Sequence, residues 1–289
     1  MTTNPLTRVV LAGVLLAPAP TLADEPVQET RPAKPDGSVE VRTVSGHVHV
    51  RGWDKDELQV RGEVDGRIRI TGDPERLVVR AVDGDDDDDG GHARLEVRVP
   101  RGCRVEVGTV SAEVVARDLT GPLEVRSVSG DIEVRGDPKT LRTKTLSGRV
   151  TLAGSKRRTE TKTVSGDVTL RGAGGEVRIS TVSGDIEVDG KTFQQGRVAS
   201  VSGDITFSGG LAADGELELK SHSGSVELRV PAGLSAELRL STFSGSIDNE
   251  LAGQAGAETR GDKVRHRLGT GTARVSVRSF SGEIRLRHR

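Results

Sequence analysis

Four acidic residues give this sequence its sharpest chemical signal. Asp85, Asp87, Asp89 and Glu96, with Gly90 between them, fit the spacing Asp-x-Asp-x-Asp-Gly-x5-Glu. Oxygen ligands at the first, third, fifth and twelfth places of a loop suit a hard cation such as Ca2+. The flanks point elsewhere. Leu77-Val-Val-Arg-Ala-Val82 and Leu95-Glu-Val-Arg-Val99 alternate like strands, where a calcium-binding helix–loop–helix needs helices, and His92 stands where an apolar residue is expected. The run therefore reads first as a solvated acidic loop, whose adjacent carboxylates repel one another unless a cation is present. A Ca2+ site there is the first cofactor reading that the sequence offers, and no catalytic residue is expected.

Other polar residues read more plainly. Asp131, Asp167, Asp185 and Asp204 each follow a Ser-Gly pair and could form a carboxylate ladder, but Arg149 interrupts it. The glycine-rich spacing of calcium-binding nonapeptide repeats is missing, so turn capping is the expectation. His47 and His49 alternate onto one outward face and could share a transition metal, with no third ligand close in sequence. His222 reads as a core histidine and Trp53 as packing over the first repeat. The lone Cys103 excludes an intramolecular disulfide and reads as a semi-buried thiol.

The elements that must position these residues come from an internal repeat. Leu123-Glu-Val-Arg-Ser-Val-Ser-Gly-Asp-Ile-Glu-Val134 returns almost unchanged as Val177-Arg-Ile-Ser-Thr-Val-Ser-Gly-Asp-Ile-Glu-Val188. Aligned on the residue before Ser-Gly, the copies fall at Val44, Val110, Val128, Leu146, Val164, Val182, Val201, His222, Phe243 and Phe280. From Val110 to Val182 every step is 18 residues, and the next three are 19, 21 and 21. The first step is 66 and the last 37, close to two periods. With each copy numbered from its first apolar residue as zero, positions 0, 2, 5, 9 and 11 are expected to point inward. Alternation at 0 and 2, and again at 9 and 11, gives two strands. The jump from 2 to 5 calls for a corner, and Ser-Gly at 6 and 7 for the next bend.

Such a period predicts an all-β, single-domain parallel β-solenoid (β-helix) with coils of 18–21 residues. Residues 105–289 carry the regular repeats. Residues 38–104 form an irregular N-terminal section of two to three coils, and Asp248 to Gly271 hold one copy without Ser-Gly. Position 1 reads Glu124, Arg142, Glu160, Arg178, so stacked neighbours carry opposite charges, and position 4 is a polar Ser/Thr ladder. Residues 1–23 read as a secretory signal peptide, with Arg8, an apolar run from Val9 to Ala17, and small residues up to Ala23. Residues 24–37, with Pro26, Pro32, Pro35 and Gly37, read as a flexible lead-in. The chain is thus expected to be exported to the periplasm, cell surface or medium, with no transmembrane segment in the mature form.

Composition narrows the function classes. Apolar residues are 33% and aromatics 2%, which suits a thin repeat interior better than a thick globular core. The net charge of -1, from 42 basic and 43 acidic residues, argues against a nucleic-acid partner. The Ser-Gly-Asp-Ile-x-Val repeats, Gly52-Trp53-Asp54, and the phrases Leu95-Glu-Val-Arg-Val-Pro100 and Val226-Glu-Leu-Arg-Val-Pro231 resemble the bacterial putative-adhesin family, a group of unknown function. The resemblance spans about residues 38–289 and implies a β-repeat protein of the cell envelope, with no functional residues to carry over. The expected role is a non-enzymatic scaffold or adhesin whose partner is an envelope protein, glycan or lipid surface. The alternatives are a polysaccharide-binding or polysaccharide-cleaving β-helix and a Ca2+-dependent envelope-stress sensor.

Overall fold

The computed structural model of the chain describes residues 27–82, 92–154, 157–253, 257–260 and 262–289. Among these, 22 strands hydrogen-bond into one continuous sheet, and a short 3-10 turn at Glu250–Gly253 is the one helical element. The pairing is parallel through the middle of the chain. Leu123 lies beside Leu141, Leu141 beside Thr159, and Thr159 beside Val177, a step of 18 residues each time. A second file runs Ile132, Val150, Val168, Ile186, Ile205. The architecture is all-β, single-domain and solenoid-like.

Period-two alternation fills the interior. Leu123, Val125, Ile132 and Val134 are buried, as are their counterparts in the neighbouring repeats, and they form one continuous core that is apolar except where Thr143, Thr159 and Thr161 replace aliphatic residues. The expected inward set needs one correction. The residue at position 5 points out, and the hydroxyl residue at position 4 points in. Thr140–Ser147 and Arg158–Ser165 run as unbroken strands through positions 0 to 6, so no corner separates 2 from 5. Parity then decides: 0, 2 and 4 share one face, and 1, 3 and 5 share the other.

The bend falls at Ser-Gly, where the glycine copies leave no room for a Cβ; only the copy with Ser111-Ala112 carries a side chain at this place. Gly184 has φ of +142°, and a Cβ on it would lie 2.4 Å from the carbonyl oxygen of Gly166 in the adjoining repeat. The same close approach recurs at Gly203 and Gly224, so the corner is stacked backbone on backbone. Some of the inward hydroxyls of position 4 serve this corner. Thr145 Oγ1 donates to the Ser147 carbonyl at 2.8 Å, and Ser221 Oγ to that of Gly224 at 3.3 Å.

The ends depart from chain order. Ser38–Trp53 pairs in parallel with Arg104–Arg117 on one side and with Arg76–Val82 and His92–Pro100 on the other. The first repeat is therefore sandwiched between later ones. At the far end, Ala273–Ser281 and Ile284–His288 slot between the repeat of Ile205–Ser223 and Val226–Val230 and that of Ala236–Ser244 and Ile247–Asn249. Because all copies share the same columns, any one can stack on any other, and the sequence spacing does not set their order.

Antiparallel strands close both ends. Glu57–Val64 pairs with His92–Pro100, and Arg67–Asp73 with Arg76–Val82. Opposite them, Lys263–Leu268 pairs with Ala236–Ser244 and with Ala257–Arg260. These charged strands stand where a bare sheet edge would otherwise face solvent. The expected solenoid copy within 248–271 is instead this cap. Residues 27–32, read as part of a flexible lead-in, form a strand antiparallel to Glu57–Val64. Residues 1–23 lie outside the described residues.

Candidate functional site

The turned-out column at position 5 is the most unusual surface on the molecule. Read in spatial order, it runs Val44, Val110, Val128, Leu146, Val164, Val182, Val201, His222, Phe280, Phe243. Leu146 is 55% exposed and Phe243 73%, while the valines from Val110 to Val201 are close to half exposed. Single exposed apolar residues are ordinary, but a continuous apolar strip on a soluble surface marks a place of contact. His222 corrects the core assignment: it is exposed and stacks on Phe280 with centroids 4.8 Å apart, and Phe280 stacks on Phe243 at 4.9 Å. The three rings lie face to face along the stack, so they present edges outward.

Charge borders the ladder on both sides along the coil. Position 3 carries Arg42, Arg126, Lys144, Lys162, Lys220 and Arg278, all exposed, with uncharged Gly108, Ser180, Ala199 and Ser241 at the remaining levels. Position 8 carries Glu113, Asp131, Asp167, Asp185, Asp204 and Glu283, with His47, Arg149, Ser225 and Ser246 as the departures. The position-8 aspartates cap the stack: Asp131 Oδ1 accepts the Arg149 backbone N–H at 2.7 Å, Asp167 that of Asp185 at 3.0 Å, and Asp185 that of Asp204 at 2.9 Å. Their second oxygens remain at the surface. Beyond position 3, the alternating charges of position 1 are in register, with Arg142 beside both Glu124 and Glu160. Lys162 first, then Arg142 and Arg178, hold the Glu160 carboxyl below the usual carboxylate range.

Of the proposed calcium ligands, Asp85, Asp87 and Asp89 lie outside the described residues. Glu96 is on the strand His92–Pro100, where its Oε1 accepts from Arg98 Nη2 at 2.7 Å. It lines a cleft of about 360 Å³ with His47, His49, Arg61, Glu63 and Arg94. His47 Nε2 lies 3.5 Å from Glu113 Oε2, and the described residues gather no group of three His, Cys, Asp or Glu able to hold a metal. Trp53 donates its indole N–H to the Glu57 carbonyl at 2.8 Å beneath Lys55. Cys103 is buried, and desolvation pushes its thiol pKa up to about 12. No helix among the described residues is long and apolar enough to cross a membrane.

The stacked repeats, their glycine corners and the antiparallel caps fall within one family pattern: the family model described as Toastrack DUF4097 matches residues 33–287. The chain belongs to that family. A search of curated proteins finds no match. Among solved structures, this Toastrack chain is similar to one called a putative adhesin from Bacteroides fragilis, at 12% identity, TM-score 0.43, covering 91% of this chain and 98% of that one. A second, also called a putative adhesin, from Parabacteroides distasonis, shows 11% identity and TM-score 0.44 over 92% and 97% of the two chains.

The missed feature had a signal in the sequence. Position 4 is Ser or Thr in every copy aligned on Ser-Gly, and strict strand parity from position 2 sends 4 inward and 5 outward. Polarity alone suggested the reverse.

Proposed function

We propose that this Toastrack chain is an exported, non-catalytic envelope protein that works by surface contact, as a scaffold or adhesin. In this reading residues 1–23 direct export, coils of 18–21 residues stack as a parallel β-solenoid, and the position-5 ladder is the contact face. The observation that carries it is the exposure of this apolar column in repeat after repeat, from Val110 to Phe243. Leaving a single valine exposed costs little, whereas a whole file of them favours removal from water. The family resemblance drawn from the repeats agrees with an envelope setting.

The test is recovery of a partner from envelope fractions by the full chain. The wild type is expected to retain a glycan, lipid or protein partner, and Leu146→Glu to lower recovery several-fold while leaving the fold intact by circular dichroism. Equal recovery by both would remove the ladder from the contact.

A further inference from the structure

We infer that the occupant of the position-5 ladder is a second copy of this chain, packed face to face with its stack axis parallel. The inference rests on the ladder being a contact face and adds the partner. Charge complementarity selects it. Along the coil the apolar column lies between the basic column at position 3 and the acidic column at position 8. A two-fold axis running along the ladder places each basic column against the partner's acidic column, level by level. Arg126 then meets the position of Asp131, Lys162 that of Asp167, and Arg278 that of Glu283; Lys144 opposes Arg149, and the other six levels bring at most one charged residue to the seam. Antiparallel packing would set Arg126 against Lys220, Glu113 against Glu283 and Asp167 against Asp185, with Arg149 against Asp204 as its one opposite-charge pair. Arg126 and Lys162 lean on Glu124 and Glu160 in the single chain, exposed pairings that exchange readily for partners across an interface.

The dimensions bound the contact. Ten levels at about 4.8 Å spacing give a strip about 43 Å long, and the contour from position 3 to position 8, which turns at Ser-Gly, spans at most about 16 Å. That gives up to roughly 700 Å² per partner, below the ~800 Å² of a standard specific interface. Two identical ladders also share one repeat, so like levels meet at the same height along the whole strip.

The experiment uses the purified full chain carrying Val128→Cys or His222→Cys, one at a time, under mild oxidation, with sedimentation of the unmodified chain alongside. The ladder puts Val128 at the third level and His222 at the eighth. Parallel packing links each variant to its own counterpart; antiparallel packing links the two only when they are mixed. Cys103 stays out of the reaction, because its thiol is buried. A dimer in sedimentation, self-linked at both sites and weakened at least tenfold by Leu146→Glu, is the expected result. A monomer at tens of micromolar, or linkage only in the mixture, overturns the parallel second copy. If that monomer still takes up an envelope partner and Leu146→Glu loses it, the contact reading stands and only this inference falls. If Leu146→Glu changes neither association nor recovery, both fall.

Discussion

Two neighbouring columns of the same strands invert the usual rule. At position 4 hydroxyl residues such as Thr145 and Thr181 are buried, and at position 5 apolar residues such as Leu146 and Val182 face solvent. One residue apart, they experience opposite environments because a strand's side chains alternate whatever their chemistry. Some inner hydroxyls, Thr145 and Ser221 among them, bond the turn that follows, whereas those of Thr163, Thr181, Ser200 and Ser279 have no partner among the described residues. The outer apolar residues stay close to half exposed or more from Val110 to Phe243, and it is this exposure that the proposed contact face explains.

The contrast can be broken most severely at the corner between the two columns. Gly184→Val puts a branched side chain onto the Gly166 carbonyl and forces a φ that L-residues avoid. A loss of about 3 kcal/mol or more is expected in denaturant unfolding, and a loss under 1 kcal/mol would mean that the corner is not tightly stacked. Next come two matched changes in the inner column. Thr145→Val removes the bond to the Ser147 carbonyl and should cost about 1 kcal/mol. Thr181→Val should be neutral or stabilising, since the Thr181 hydroxyl has no hydrogen-bond partner among the described residues. Equal effects would show that the hydroxyls do not act through the turn.

A third contrast sets the inner wall of the cap against the exposed His222. His266 is buried on the capping strand Lys263–Leu268, and desolvation holds its pKa below the usual 6.5. A depressed histidine pKa means the unfolded chain binds the proton first, so stability should fall as pH drops below about 6.5. Melting curves of His266→Leu should be flatter through that range, and identical slopes would exclude the cap histidine as the cause. In the outer column, Leu146→Glu should change stability by less than about 0.5 kcal/mol; a larger loss would place Leu146 in the core after all. The smallest expected effect belongs to the acidic run. Millimolar Ca2+ should leave the melting temperature unmoved, and a clear rise would restore a metal site at Asp85, Asp87 and Asp89.

Much of this was legible in the residues. The 18-residue steps, the Ser-Gly corners and the inward files at 0, 2, 9 and 11 follow from spacing and alternation alone. The contact column did not, because reading Val128 and Leu146 as core trusted polarity over parity. The end arrangement was hidden for a different reason. Stacking identical columns is degenerate, so nothing in the local pattern of Val39–Val50 or Val275–Leu286 names its neighbours.

That degeneracy has a consequence for how the chain is made. Residues 273–288 occupy a gap between two repeats that are both synthesised earlier. Until they arrive, the strands on either side have matching edges and every incentive to close on each other. The final repeat thus acts as a keystone: assembly must either hold a slot open for it or reopen one, and a chain that stops short would seal without it.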